Sequence, residues 1–152
     1  MATFGGFTAA VLTAAELNTA GGAWSTWTPT IVSWTQGNGT VVAVYEQVGR
    51  TVNCFVSIVW GTTSSGFIAT VSLPKTAARI ESIGAGYIGD SAVLGYPALV
   101  VVNTTTTVSI FAHNAAATYA AATAISATIP FTFATSDFVR FSLTYEAAAD
   151  GT

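Results

Sequence analysis

His113 and Cys54 are the single histidine and single cysteine of the chain, and they bound its chemistry from the start. A Ser–His–acid triad needs an activated serine, and no Gly-x-Ser-x-Gly elbow presents one. His113, in Phe111-Ala112-His113-Asn114, reads as a loop residue. A lone cysteine excludes an internal disulfide and a thiolate metal cage. Within Val52-Asn53-Cys54-Phe55-Val56, Cys54 reads as a small buried apolar residue. The acids are too dispersed to form a metal-binding loop. Glycoside hydrolysis needs two carboxylates several ångström apart. Asp137 and Glu146 bracket one predicted strand, which at ~3.3 Å per residue separates them by roughly 30 Å. Only the folding of Asp90 or Glu81 toward either could form such a pair. Gly84-Ala85-Gly86 lacks the rest of a phosphate-binding fingerprint and reads as a bulge or turn. Asn38-Gly39-Thr40 and Asn103-Thr104-Thr105 match the glycosylation triplet but, without a signal peptide, mark only surface turns. No catalytic residue, cofactor site or metal ligand is assigned.

The aromatics are the more open case. Trp24, Trp27, Trp34 and Trp60 are the chain's four tryptophans. An indole beside Asn and Thr can stack on a sugar ring, and it can equally supply buried area in a core or between subunits. Trp34 and Trp60 are expected in the core. Trp24 and Trp27, at the junction of two segments, are expected to pack between subunits.

The charge content narrows function further. Lys+Arg number four and Asp+Glu seven, together 7% of residues, where a soluble domain carries about 25%. A formal net charge of −3 and a pI near 4.7, with Lys75, Arg50, Arg79 and Arg140 scattered, leave no basic stripe for nucleic acid. The longest apolar runs, such as Ala98 to Val102, are about five residues, against roughly twenty for a spanning helix. No membrane insertion is expected. Met-Ala-Thr-Phe-Gly-Gly has neither a basic start nor an apolar run, so no secretory signal is read and synthesis in a cytoplasm is expected. A chain this poor in charge must cover itself with Ser, Thr, Asn and Gly, or against other chains.

The elements that must position these residues fall into two segments, 1–23 and 24–152. In the first, Thr13-Ala14-Ala15-Glu16 forms a capping box, with Leu12 and Leu17 as its hydrophobic staple and Gly21-Gly22 as the stop. The predicted helix is about two turns, too short to stand alone in water. It must dock on its own domain, on sister copies or on a neighbouring protein. Leu12, Thr13, Glu16, Leu17, Trp24 and Trp27 are therefore the candidate attachment or oligomer interface.

From Trp24 onward the pattern has period two. Ile31 to Thr35 leads through Gln36-Gly37-Asn38-Gly39, a hairpin signal, into a strand from Thr40 to Val48. After Gly49-Arg50, Thr51 to Trp60 sets Val52, Cys54, Val56, Ile58 and Trp60 on an apolar face. The opposite face mixes Thr51, Asn53 and Ser57 with Phe55 and Val59, so another layer or subunit is expected to cover it. Further strands are predicted at 67–73, 86–89, 92–94, 98–102, 108–112, 129–133 and 137–145. Lys75 to Glu81 is predicted as an exposed loop, and the Ala/Thr tract from Ala115 to Ala127 is open to helix, loop or strand. In the last strand Val139, Phe141, Leu143 and Tyr145 form the core face. The result is an all-β fold, an antiparallel sandwich or jelly roll of short strands.

Three segments together resemble the small tail and fibre-type virion proteins of tailed bacteriophages. Val11-Leu12-Thr13-Ala14-Ala15-Glu16-Leu17-Asn18 is similar to their opening helix. Trp24-Ser25-Thr26-Trp27-Thr28-Pro29-Thr30, with Gly39-Thr40 and Tyr45-Glu46-Gln47-Val48-Gly49-Arg50-Thr51-Val52, is similar to their first hairpin. Pro130 to Asp137 and Leu143-Thr144-Tyr145-Glu146-Ala147-Ala148 are similar to their closing strands. The resemblance covers both ends of the chain and fades over Ala78 to Ala127. It implies a non-enzymatic minor tail or tail-fibre-type protein, assembled in the host cytoplasm and carried on the virion. It further implies a homotrimer with a jelly-roll-like domain. Residues 1–23 would bind other virion proteins, and the β domain would face host-surface carbohydrate. A capsid decoration protein without a receptor role is the alternative, and a small hydrolase the remote one.

Overall fold

The computed structural model describes residues 22–91, 93–114 and 120–149. The predicted helix at Thr13–Glu16, with Leu12 and Leu17, lies outside the described residues.

Every regular element among the described residues is a strand. They are β1 (Ser25–Thr26), β2 (Ile31–Thr35), β3 (Thr40–Val48), β4 (Thr51–Val59), β5 (Ser65–Ser72), β6 (Ile83–Gly89), β7 (Gly95–Thr104), β8 (Thr107–Asn114), β9 (Ala121–Ala124) and β10 (Phe138–Glu146). All pair antiparallel in one sheet of order β1-β3-β4-β10-β6-β7-β8-β5-β2, with β9 also on β8. The sheet curls into a half-barrel. Its far ends approach each other, since Trp34 of β2 meets Trp60, just beyond β4, edge-on at 5.7 Å. The two layers expected from the sequence are opposite walls of this one curled sheet.

The concave side holds the core. Val52, Cys54, Val56, Ile58 and Trp60 are all 3% exposed or less, as their alternation predicts. Val139, Phe141, Leu143 and Tyr145 of β10 face them from the next strand, and Val100, Val102, Val108 and Ile110 close the other wall. Burying such side chains stabilises the fold by roughly 1.5–3 kcal/mol each before entropy is counted.

Three expectations are corrected. Asn38-Gly39 does lie in a tight turn, in which the Gly39 amide donates to the Gln36 carbonyl at 2.8 Å and Gly37 takes φ +53°. The strands it joins do not pair, however. β2 pairs with β5 and β3 with β4, so the turn carries the chain from one wall to the other. The β4–β5 loop makes the same crossing beside it, and Asn38 ties the two together. Its Oδ1 accepts from the Thr63 amide at 2.9 Å and its Nδ2 donates to Thr62 Oγ1 at 2.9 Å.

Second, residues 129–133 are not a strand. Pro130 has no amide to donate, and the segment lies across the open end of the core as a plug. Phe133 stacks on Trp60 at 4.4 Å, and Phe131 meets Tyr96 at 5.7 Å. Third, Val93 and Leu94 lie in the β6–β7 turn, where the Asp90 amide donates to the Leu94 carbonyl at 2.9 Å. β9 lies inside the Ala/Thr tract that the sequence left open. As expected, Lys75 to Glu81 is exposed apart from Ala77.

The half-barrel has two unlike ends. The base holds the Gly49-Arg50 turn, the Thr105-Thr106 turn and the segment from Leu73 to Ser82, with Ala147 bonded to the Arg50 carbonyl at 2.7 Å. The mouth holds the wall-crossing turns, the β6–β7 turn and the aromatic plug. Gly22 lies beside Val48, and Ala149 lies by Gln47 and Lys75. Both therefore sit at the base.

Candidate functional site

Strand register builds a site on the convex face. In each strand of the central sheet the residues between core positions point outward. Val44, Phe55, Ser142, Ala85 and Leu99 are successive cross-strand partners, and Val42, Ser57, Arg140, Tyr87 and Pro97 form the next row. A third row runs from Glu46 through Asn53 to Thr144. Its side chains form a ladder, with Asn53 donating to Glu46 at 3.0 Å and Thr144 donating to Asn53 at 2.7 Å. Val42 is 54% exposed, Tyr87 47% and Phe55 37%, although Tyr87 and Phe55 lie on strands flanked on both sides. The mixed face expected opposite the β4 core is thus real, and among the described residues Val42, Phe55 and Tyr87 stand exposed on it. Contiguous exposed apolar surface of this kind marks a place where another molecule packs.

Two further charges stand on this face, Arg140 toward the mouth and Glu46 toward the base, where its carboxylate lies beside Gly22. Arg140 donates through Nε to Ser57 at 3.3 Å, and its guanidinium lies 4.1 Å from the Phe138 ring centroid, a cation–π contact. Glu46 accepts from Asn53. Neither forms an ion pair among the described residues.

At the mouth, a cleft of about 270 Å³ is lined by Tyr96, Ala112, His113, Asn114, Thr123, Ile129 and Pro130. Register places Ala112 opposite Ala98 and Thr123, so Tyr96, Asn114 and Thr123 lie on the concave side under the plug. Barrel mouths commonly hold ligands, and the described residues of this one include an aromatic ring, an imidazole and a hydroxyl with no carboxylate or ammonium. Such a lining suits a neutral, hydroxyl-rich molecule. His113, read from sequence as a loop residue, instead lies near the end of β8, where it is exposed and paired with Ala122.

At the base, Glu146 collects charge. It pairs with Arg50 at 3.1 Å and with Arg79, which also reaches Glu81 at 4.0 Å. The Arg79 hydrogen bond, aided by the charges of Arg50 and Arg79, holds the Glu146 carboxyl below its usual range. A general acid needs the opposite shift. Asp137 occupies the other end of β10, 3% exposed. Its carboxylate accepts from the amides of Ser91 at 3.0 Å and Ala134 at 2.6 Å, clasping two mouth loops. The two carboxylates are therefore spent on separate structural tasks. Among the described residues no group of three or more His, Cys, Asp or Glu could hold a metal ion. Burial pushes the Cys54 thiol up to about 12, and it lies 3.6 Å from the Leu143 carbonyl, as suits the apolar role read from sequence.

Of the predicted interface residues, Leu12, Thr13, Glu16 and Leu17 lie outside the described residues. Trp24 is 57% exposed beside β1. Trp27 packs edge-on against Tyr45 at 5.8 Å, and its indole N–H is buried with no partner among the described residues. Trp60 is a core residue and Trp34 packs partly buried against it, as expected. Sequence reasoning flagged Phe55 and Val59 but missed Val42, Tyr87 and Arg140 as their neighbours on the face. Their alternation was readable, but their adjacency depends on pairing between strands far apart in the chain.

The chain matches no protein-family model, and comparison with curated proteins and with solved structures likewise gives no match.

Proposed function

We propose that this chain is a non-enzymatic structural protein of a tailed-phage virion, of the minor tail or tail-fibre type. In this reading residues 1–23 join it to the particle, and copies of the β domain associate through the convex face. The resemblance implies a trimer of jelly-roll-like domains. The observation that carries the reading is the open apolar convex face on a chain with so little charge, which favours a protein completed by its neighbours. Two further features support it. Gly22 and Ala149 both lie at the base, which leaves the mouth free to project. The cleft at Tyr96 and Thr123 offers a place on this domain for host-surface carbohydrate.

The test is electron microscopy of intact particles of a phage carrying the gene, with mass spectrometry to identify the protein. Density for the domain on the tail, mouth outward, is expected. Density on the capsid shell would favour the decoration protein instead, and absence from particles would retract both. Adsorption to host cells separates the roles further. Loss of adsorption on substituting Tyr96 and Thr123 supports a receptor contact, and unchanged adsorption with fragile capsids supports decoration.

A further inference from the structure

Arg140, Phe55 and Glu46 lie on one straight diagonal of the convex face. Arg140 is the cross-strand partner of Ser57, Phe55 is two residues along β4 from Ser57, and Val44 is the partner of Phe55. Glu46 is two residues further along β3 in the same direction. With strands ~4.8 Å apart and ~3.3 Å per residue, Arg140 and Glu46 are about 16 Å apart, with Phe55 midway. A cation and an anion thus stand at equal distances on either side of an exposed aromatic ring.

We propose that this diagonal is the contact between two copies of the chain, related by a twofold axis. The axis runs parallel to the sheet and just outside it, at the level of the Phe55 ring tip, perpendicular to the diagonal and passing over Phe55. A half-turn about it sets each Arg140 over the Glu46 of the other copy and brings the two Phe55 rings together. No other partner needs to be invoked to match the charges, because the face is complementary to itself, as an isologous contact requires. Val42, Val44 and Tyr87 supply the apolar surround.

The proposal deepens the self-association in the proposed function and rests on the same face. It replaces the threefold contact implied by the resemblance, since a rotation about an axis running along the strands would leave Arg140 and Glu46 about 13 Å apart in height. The four central strands present a face of roughly 15 by 30 Å, about half the ~800 Å² per partner of a standard interface. The contact is consequently weak for free chains. It is strengthened wherever copies are held close together on a particle.

The experiment is sedimentation of the full chain over a wide concentration range, with circular dichroism and thermal melting as controls on folding. The wild type is expected to pass from monomer to dimer. Arg140→Glu and Glu46→Arg, each made alone, replace attraction by repulsion at both charge contacts and should weaken the dimer by at least about tenfold. Mixing these two variants should form a heterodimer, and the double variant carrying both should dimerise again. Phe55→Ser should give a folded monomer.

A wild type that stays monomeric, or that assembles as a trimer, would overturn the proposal. Failure of the mixed variants to associate would do the same. These results are separable from the fate of the virion reading. A protein that dimerises as described but is absent from particles retains the contact and loses the virion role. One found on particles but monomeric in solution retains the role and loses the contact.

Discussion

The base and the mouth of the half-barrel are held together by different means. At the base, charge is concentrated. Arg50, Arg79, Glu81 and Glu146 form one connected cluster, and the Tyr145 hydroxyl both donates to the Lys75 carbonyl at 2.8 Å and accepts from the Lys75 amide at 3.1 Å. At the mouth no ion pair occurs among the described residues. Its loops are held by stacked aromatics, by Asn38 and by the buried Asp137 carboxylate. A chain with few charges has placed three of its four cations, Arg50, Lys75 and Arg79, at the base. This leaves the described mouth loops without a cation, their carboxylates being Asp90 and the buried Asp137, while the base carries the interactions that salt and acid can weaken.

The largest effect is expected at the mouth. Trp60→Ala removes a ring that is 2% exposed and stacked on Phe133. It should cost about 3–5 kcal/mol, measurable by denaturant unfolding, and release the aromatic plug. A loss below about 1 kcal/mol would mean that the plug contributes little. Next comes Asp137→Ala, which leaves the Ser91 and Ala134 amides without their charged acceptor. A loss of about 1.5–3 kcal/mol is expected, with faster amide exchange confined to the mouth loops. Exchange that rises equally at the base would erase the distinction between the ends.

The base should respond less. Tyr145→Phe keeps the buried ring and removes both hydrogen bonds to Lys75, for a loss of about 1 kcal/mol. Burial also raises the Tyr145 pKa, so this residue favours folding at neutral pH, and its contribution falls as pH rises through the folded-state value. The smallest effect is acid weakening at Glu146. Its folded pKa lies below the ordinary 4.5, so its contribution is present above that value and is lost as pH falls through the folded one. Thermal melts at low salt should show a slight acid-induced decrease. Glu146→Gln and high salt should each remove it, since the cluster is exposed. A decrease that persists in Glu146→Gln would place the acid-sensitive group elsewhere.

Much of the fold is legible in single strands. The alternation in Thr51 to Trp60 and in Phe138 to Glu146 predicts both the core residues and the half-apolar back of β4. Pairing is less legible. Asn38-Gly39 encodes the turn, but a turn does not specify whether the strands it joins lie side by side or on opposite walls. Ile129, Phe131 and Phe133 alternate as a strand would, because a plug that points its rings inward produces the same spacing. β9 is hidden in a tract of Ala and Thr, where no contrast between faces exists to be read. The convex-face diagonal is the hardest case. Arg140 and Ser57 are 83 residues apart, and only the assembled register makes them neighbours.

That register also sets an order of events. β10, last of the strands, lies at the centre of the sheet, pairing along its whole length with β4 and over half of it with β6. Until β10 is synthesised, β4 and β6 have no partner on that side, and the core lacks Val139, Phe141, Leu143 and Tyr145. Closing so long a loop is slow, and the earlier strands expose apolar edges while they wait. The domain thus folds in one late step, after β10 has been synthesised. Chains cut short before Phe138 should be cleared by proteolysis rather than carried forward into assembly.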